Sequence, residues 1–134
     1  MAIRLLDVDE AETLRLLINA DGEFRLVSRD IHLNLVLQVG GQSRLFRFAD
    51  GELKAFRPFV PLTETVDVYI KGNDDFWEKL LAHKPPPRFQ NLYAGVRFKT
   101  CEVTGDSELY FAYFAALTRM VELMRDHENQ QAHV

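Results

Sequence analysis

One cysteine, Cys101, occurs in 134 residues. A lone thiol excludes an internal disulfide framework and fits a reducing compartment. Four scattered histidines and that single cysteine supply no ligand set for a structural zinc. No apolar run reaches the ~20 residues that a membrane-spanning helix needs. The opening, Met1 to Asp7, lacks the apolar core of a signal peptide and meets an acid at its seventh residue. Basic charge is not in excess either. Sixteen Lys and Arg against twenty Asp and Glu leave a net charge of −4, which argues against a nucleic-acid partner. No internal repeat and no low-complexity linker divides the chain. The expectation is one soluble, cytoplasmic domain over 1–134, with its core at about 8–125. A domain of this length buries about 70% of the surface its unfolded chain exposes, enough for a core without staples.

The pattern that is present reads as alternating helix and sheet. Asp9 and Glu12 have capping-box spacing, and Leu14, Leu17 and Ile18 follow on one stripe. Asp21-Gly22 predicts the end of that helix, with Gly22 in the left-handed conformation. Residues 24–28 fit extended chain or a second short helix. Ile31, Leu33, Leu35, Leu37 and Val39 alternate with His32, Asn34, Val36 and Gln38, the signature of a strand. Gly40-Gly41 predicts a hairpin, and 43–48 the return strand with Phe46 and Phe48 on one face. A turn at 49–51 leads to a third strand, 52–56, and Pro58 and Pro61 interrupt its continuation. A fourth strand, 65–71, has Val66, Val68 and Ile70 inward and Asp67, Tyr69 and Lys71 outward. A short helix follows Gly72-Asn73-Asp74, with Asp75 and Glu78 as its capping box. Its apolar side is Phe76, Trp77, Leu80 and Leu81. Pro85-Pro86-Pro87 is an extended loop, and 89–93 carries no assignment. Gly95 leads into a fifth strand, 96–103. Gly105-Asp106 caps a final helix over 107–128, ahead of a polar tail. The whole is an α+β domain in two layers.

The last helix has more apolar surface than one sheet can use. Residues 109–117 are nine consecutive apolar side chains, where a helix lying on a sheet needs a stripe about 100° wide. Leu109, Tyr113, Ala116 and Met120 share one side, assigned to the sheet. Phe111, Phe114, Ala115 and Thr118 lie on another, assigned to a cavity or to a partner subunit. Met120 and Met124 stand one turn apart and suit an irregular apolar surface.

Chemistry is harder to place. No G-x-S-x-G elbow and no P-loop occurs, and no cofactor motif is present. Cys101 reads as a buried, inert thiol. His32, Asp67 and Tyr69 fall on the outer sheet face, which is the usual solvated side of an antiparallel sheet. A proton-transfer site would want them converging in a cleft. Glu102 shares a face with Val96 and Phe98 if the fifth strand stays regular, and a bulge near Cys101 would turn it outward. A catalytic reading would rest on Glu102, Tyr93 and His32. Lys84 to Arg88 reads as a stiff loop rather than a ligand for a proline-binding domain.

The order of motifs resembles the sterol carrier protein 2 family of lipid-binding domains over about residues 8–125. The residues that carry the resemblance are Asp21-Gly22-Glu23-Phe24-Arg25, Phe48-Ala49-Asp50-Gly51 and Val66 to Gly72. They continue through Phe76-Trp77 with Leu80-Leu81, Gly95-Val96-Arg97-Phe98, and Gly105-Asp106. The resemblance implies a five-stranded, mostly antiparallel sheet with helices over one face and an apolar cavity between them. It also implies binding of a sterol, fatty acid or acyl chain without chemistry, and no cofactor or metal. The ligand-lining residues would be Phe76, Trp77, Leu80, Leu81, Phe98, Phe111, Phe114, Leu117, Met120 and Met124, with Phe76 or Trp77 at the cavity mouth. Two alternatives stay open. One is an enzyme using the same cavity, and the other an accessory or dimerisation subunit, a homodimer included. An NTF2-like cone would end on strands, and a helix-grip fold would start with one.

Overall fold

Five strands in the order β3-β2-β1-β4-β5 form the sheet of the computed structural model, which describes residues 10–57 and 65–129. The strands are β1 (Leu33–Val39), β2 (Gln42–Ala49), β3 (Glu52–Arg57), β4 (Val68–Gly72) and β5 (Cys101–Gly105). The expectations at Asp9, at Pro58 and Pro61, and for the tail over 130–134 lie outside the described residues. Tight turns make β1–β2 and β2–β3 antiparallel neighbours, and β4–β5 is antiparallel as well. β1 and β4 run parallel, with Leu35 facing Val68 and Leu37 facing Ile70. The sheet is therefore mixed, and antiparallel at three of its four seams.

Register explains which face is covered. Leu35 lies between Phe46 and Val68, Leu37 beside Ile70, and Phe48 beside Leu53. Side chains alternate along a strand, so these residues share one face, and all are buried. Helix α1 (Ala11–Ala20) lies against β3, and α6 (Phe114–Asn129) packs on α1 and on α2 (Gly22–Val27). Phe24 of α2 reaches Phe48 of the sheet, ring centroids 6.1 Å apart. On the opposite face, Val36 pairs with Leu45 and Tyr69.

Four sequence expectations are corrected. Gly22 has no left-handed φ; it opens α2. The break belongs to Asp21, whose extended backbone stops α1 while its carboxylate accepts from Phe24 N–H at 2.7 Å. Helix α3 (Asp74–Leu80) is capped by Asn73, whose Oδ1 accepts from Phe76 N–H at 2.8 Å. Asp75 pairs instead with Lys79 one turn on, at 3.0 Å. Residues 92–97 are helical, so the strand expected over 96–103 does not start at residue 96. Asn91 caps α4 (Leu92–Arg97) by accepting from Ala94 N–H, and β5 begins only at Cys101. Finally, the expected helix over 107–128 is two helices. α5 (Ser107–Ala112) is capped by Asp106 and packs on β4, and the chain turns at Tyr113 so that α6 can follow α1 and α2. One straight helix could not serve both neighbours.

Candidate functional site

The layer between the helices and the sheet is built around α3. Its Asn73 cap sets the helix directly after β4, and this turns Phe76, Trp77 and Leu80 inward. Leu81, which ends the helix, is buried with them. Phe76 and Trp77 meet edge to face at 5.3 Å, and the Trp77 indole N–H donates to the Gln38 carbonyl at 2.9 Å. Two glycines make room for the Phe76 ring. A Cβ on Gly72 would lie 2.4 Å from Phe76 Cδ2, and one on Gly95 2.7 Å from Phe76 Cε1. Helix α6 adds Leu117, Met120 and Met124, all buried in the same apolar cluster. The layer thus unites seven of the ten side chains expected to line a ligand: Phe76, Trp77, Leu80, Leu81, Leu117, Met120 and Met124. Phe76 and Trp77 are at the interior rather than at a mouth.

Three others lie elsewhere. Phe98 follows α4 and is 43% exposed, because the strand expected to turn it inward is a helix. Phe111 on α5 is 72% exposed. Phe114 is half-buried, touching Tyr110 at 5.6 Å between ring centroids. It lines an outer groove of about 360 Å³ with Val27, Ala115, Thr118, Glu23 and Arg119. The side of the last helices assigned to the sheet is the more buried one: Ala116 and Met120 are fully covered, and Leu109 and Tyr113 half-buried. The opposite side faces outward between α2 and α6, not into the layer.

The catalytic alternative finds no convergence. His32 is exposed just before β1, Tyr93 is exposed on α4, and Glu102 points outward from β5 opposite Lys71. Glu102 is turned out by ordinary strand alternation, since β5 starts at Cys101 and needs no bulge. Their side chains share no hydrogen bond among the described residues. Asp67, expected on the solvated outer face, accepts from Asn34 N–H at 2.8 Å. Burial pushes the Cys101 thiol up to about 12 and, with that thiol beside it, the Tyr110 hydroxyl to about 12. Both hold their protons at neutral pH. A second, wider groove of about 670 Å³ opens at the end of β4 and β5, lined among others by Gln38, Lys71, Val96, Lys99, Cys101 and Glu102. No group of three metal-ligating side chains occurs among the described residues. None of their helices is long and apolar enough to cross a membrane.

Several structural anchors are not foreseen from the sequence. Arg125 donates to the Leu80 carbonyl at 2.8 and 3.0 Å and to the Gln90 carbonyl at 2.9 Å, which ties α6 to the end of α3. A cation at a helix C-terminus satisfies its orphan carbonyls. Arg119 bridges α6 to α2 through Asp21 at 2.8 Å. His127 is buried with Nε2 3.3 Å from Glu10. Arg44 is buried opposite Leu37 on the helix-covered face, its Nη1 donating to the Ser43 carbonyl. Only Arg44 has a signal: strand alternation sets it on one face with Phe46 and Phe48.

No protein-family model matches the sequence, and no curated protein matches it. Solved structures do. A crystal structure of sterol carrier protein 2 superposes with TM-score 0.71 at 14% identity, covering 93% of this chain and 96% of that one. A conserved hypothetical protein from Thermus thermophilus, described as possibly a sterol carrier protein, gives 0.72 at 15% identity, over 93% and 90% of the two chains. UbiJ-SCP2, a ubiquinone synthesis protein, gives 0.58 at 19% identity, over 88% and 92%. With a five-stranded mixed sheet, helices over one face and near-complete mutual coverage, this chain has the sterol carrier protein 2 fold.

Proposed function

We propose that the chain binds and carries a hydrophobic small molecule, of sterol, fatty-acid or acyl-chain type, between sheet and helices, without chemistry on it. The observation that carries this reading is the make-up of that layer within this fold. Seven large apolar side chains, two of them methionines one turn apart, meet there. Methionine adapts to irregular apolar shapes. The names of two neighbours, a sterol carrier and a ubiquinone synthesis protein, concern apolar molecules and support the same class. The single, buried thiol suits work in a reducing compartment such as the cytoplasm.

A ligand burying ~400 Å² gains ~10 kcal/mol at ~25 cal/mol per Å². Association costs of at least ~4 kcal/mol leave a Kd of roughly tens of micromolar, which suits release as well as capture. Trp77 is the sole tryptophan and lies in the layer. Its emission should shift or quench as fatty acid or sterol is titrated through that range. A spectrum indifferent to every apolar ligand at millimolar total lipid refutes the carrier reading.

A second reading, an accessory or dimerisation subunit, is favoured by one observation. The outward side of α5 and α6 leaves Phe111 exposed beside the Phe114 groove. Native mass spectrometry separates the two, as bound lipid on one 15.5 kDa chain or as multiples of that mass.

A further inference from the structure

From residue 79 to residue 101 the chain carries five cations, Lys79, Lys84, Arg88, Arg97 and Lys99, and no acid. The whole chain carries −4, so everything outside this stretch carries −9. The fold gathers the later cations around exposed apolar groups. Arg88 Cζ lies 4.7 Å and Arg97 Cζ 5.8 Å from the centroid of the Phe98 ring, so the loop before α4 and the turn after it meet on one aromatic side chain. Tyr93 and Val96, 58% and 41% exposed, stand one turn apart on α4. Lys99 follows Phe98 and borders the wider groove together with Val96 and Lys71. Among the described residues, Lys84, Arg88, Arg97 and Lys99 make no ion pair. Arg88 and Lys99 also hold left-handed backbone, with φ of 75° and 59°. That backbone conformation is disfavoured for residues with a side chain, so the turns that present these two cations are set by their surroundings.

Exposed aromatic and aliphatic groups ringed by unpaired cations fit a surface that is anionic at its face and apolar just beneath it. Cations meet phosphate and carboxylate headgroups, while rings and short aliphatic chains settle at the headgroup–acyl boundary. A nucleic acid would satisfy the charges but offers no apolar layer for Val96. We propose that the α4 surface, Tyr93, Val96 and Phe98 with Arg88, Arg97 and Lys99, docks this protein onto anionic membranes. The docking needs no ligand between sheet and helices.

Flotation with vesicles tests it, using phosphatidylcholine alone and with about 30% phosphatidylserine. The protein should float with the anionic vesicles only, and binding should fall steeply between about 0.05 M and about 0.5 M salt. Each cation near such a surface contributes about fivefold, so Arg97→Ser with Lys99→Ser should weaken binding roughly 25-fold. Tyr93→Ser with Phe98→Ser should weaken it at unchanged charge. Arg15→Ser with Lys54→Ser removes the same charge from other elements and should leave binding intact. Unchanged melting certifies each variant, and Arg97→Gln with Lys99→Gln replaces any that melts early. Fatty-acid binding read at Trp77 should be the same in the docking variants, which keeps this result separate from the interior reading. Failure of the protein to bind anionic vesicles at low salt overturns the proposal. So does equal loss in the Arg15/Lys54 control, or tighter capture of an RNA oligomer than of vesicles through the same residues.

Discussion

Asp21 does three things at once. It ends α1, caps α2 through Phe24 N–H, and pairs with Arg119 across the helix layer. The Arg119 guanidinium beside it, helped by that N–H, holds its carboxyl at about 2, below the ordinary 3.8. A depressed folded-state value means that the unfolded chain takes up the proton first as pH falls. The stabilisation is therefore complete above about pH 4 and is lost as pH drops toward 2. With the pair partly open to solvent, it amounts to about 1–2 kcal/mol. Asp21→Asn keeps an oxygen for the cap and removes the titration. Urea denaturation at each pH should show the natural protein losing about 1–2 kcal/mol more than the variant between pH 4 and pH 2; parallel curves would detach Asp21 from acid stability. The sequence shows Asp21 as a helix break, but Arg119 lies 98 residues away and no local pattern couples them. Asn73 and Asn91 are the opposite case. Both are visible capping residues, yet nearby acids or a glycine offer a competing local reading.

Among the elements, strands with clean alternation were legible from sequence, and so were the amphipathic sides of α1 and α3. Register did the rest, because a period of two fixes which face each side chain takes. The segment 92–100 was not legible, although the strand expected over 96–103 is present from Cys101 onward. Gly95 resembles a strand leader in isolation, and only the approach of Phe76 and Cys101 explains a glycine within a helix. The last helices were half legible: their two sides were separable, but the turn at Tyr113 answers to neighbours that the chain does not announce locally. Leu117 faces the interior and Phe114 the outer groove, so their truncations should differ. Leu117→Ala should cost about 2–5 kcal/mol of folding stability, as cavity-forming core changes do. Phe114→Ala should cost about 1 kcal/mol, as a half-buried residue loses less. Thermal and urea unfolding of the two variants measure the contrast, and equal losses would make the groove an integral part of the core.

For the molecule as a whole, the parallel seam between β1 and β4 orders events in time. Hairpins β1–β2 and β2–β3 close through short turns, but Leu35 meets Val68 only after 33 intervening steps of chain. Loop closure of that length must precede any contact that rewards it. The strands over 33–57 should therefore be structured in the folding transition state, with β4 docking later. Phe46→Leu should slow refolding, whereas Ile70→Val should mainly speed unfolding, in stopped-flow chevrons. A mainly refolding effect from Ile70→Val would place the parallel seam in the nucleus. On the late-docking order, a chain emerging from the ribosome presents α1, α2 and a finished three-stranded meander while β4, β5 and α6 are still to come. That interval, rather than the native state, is when this protein is most exposed to aggregation and most in need of a chaperone.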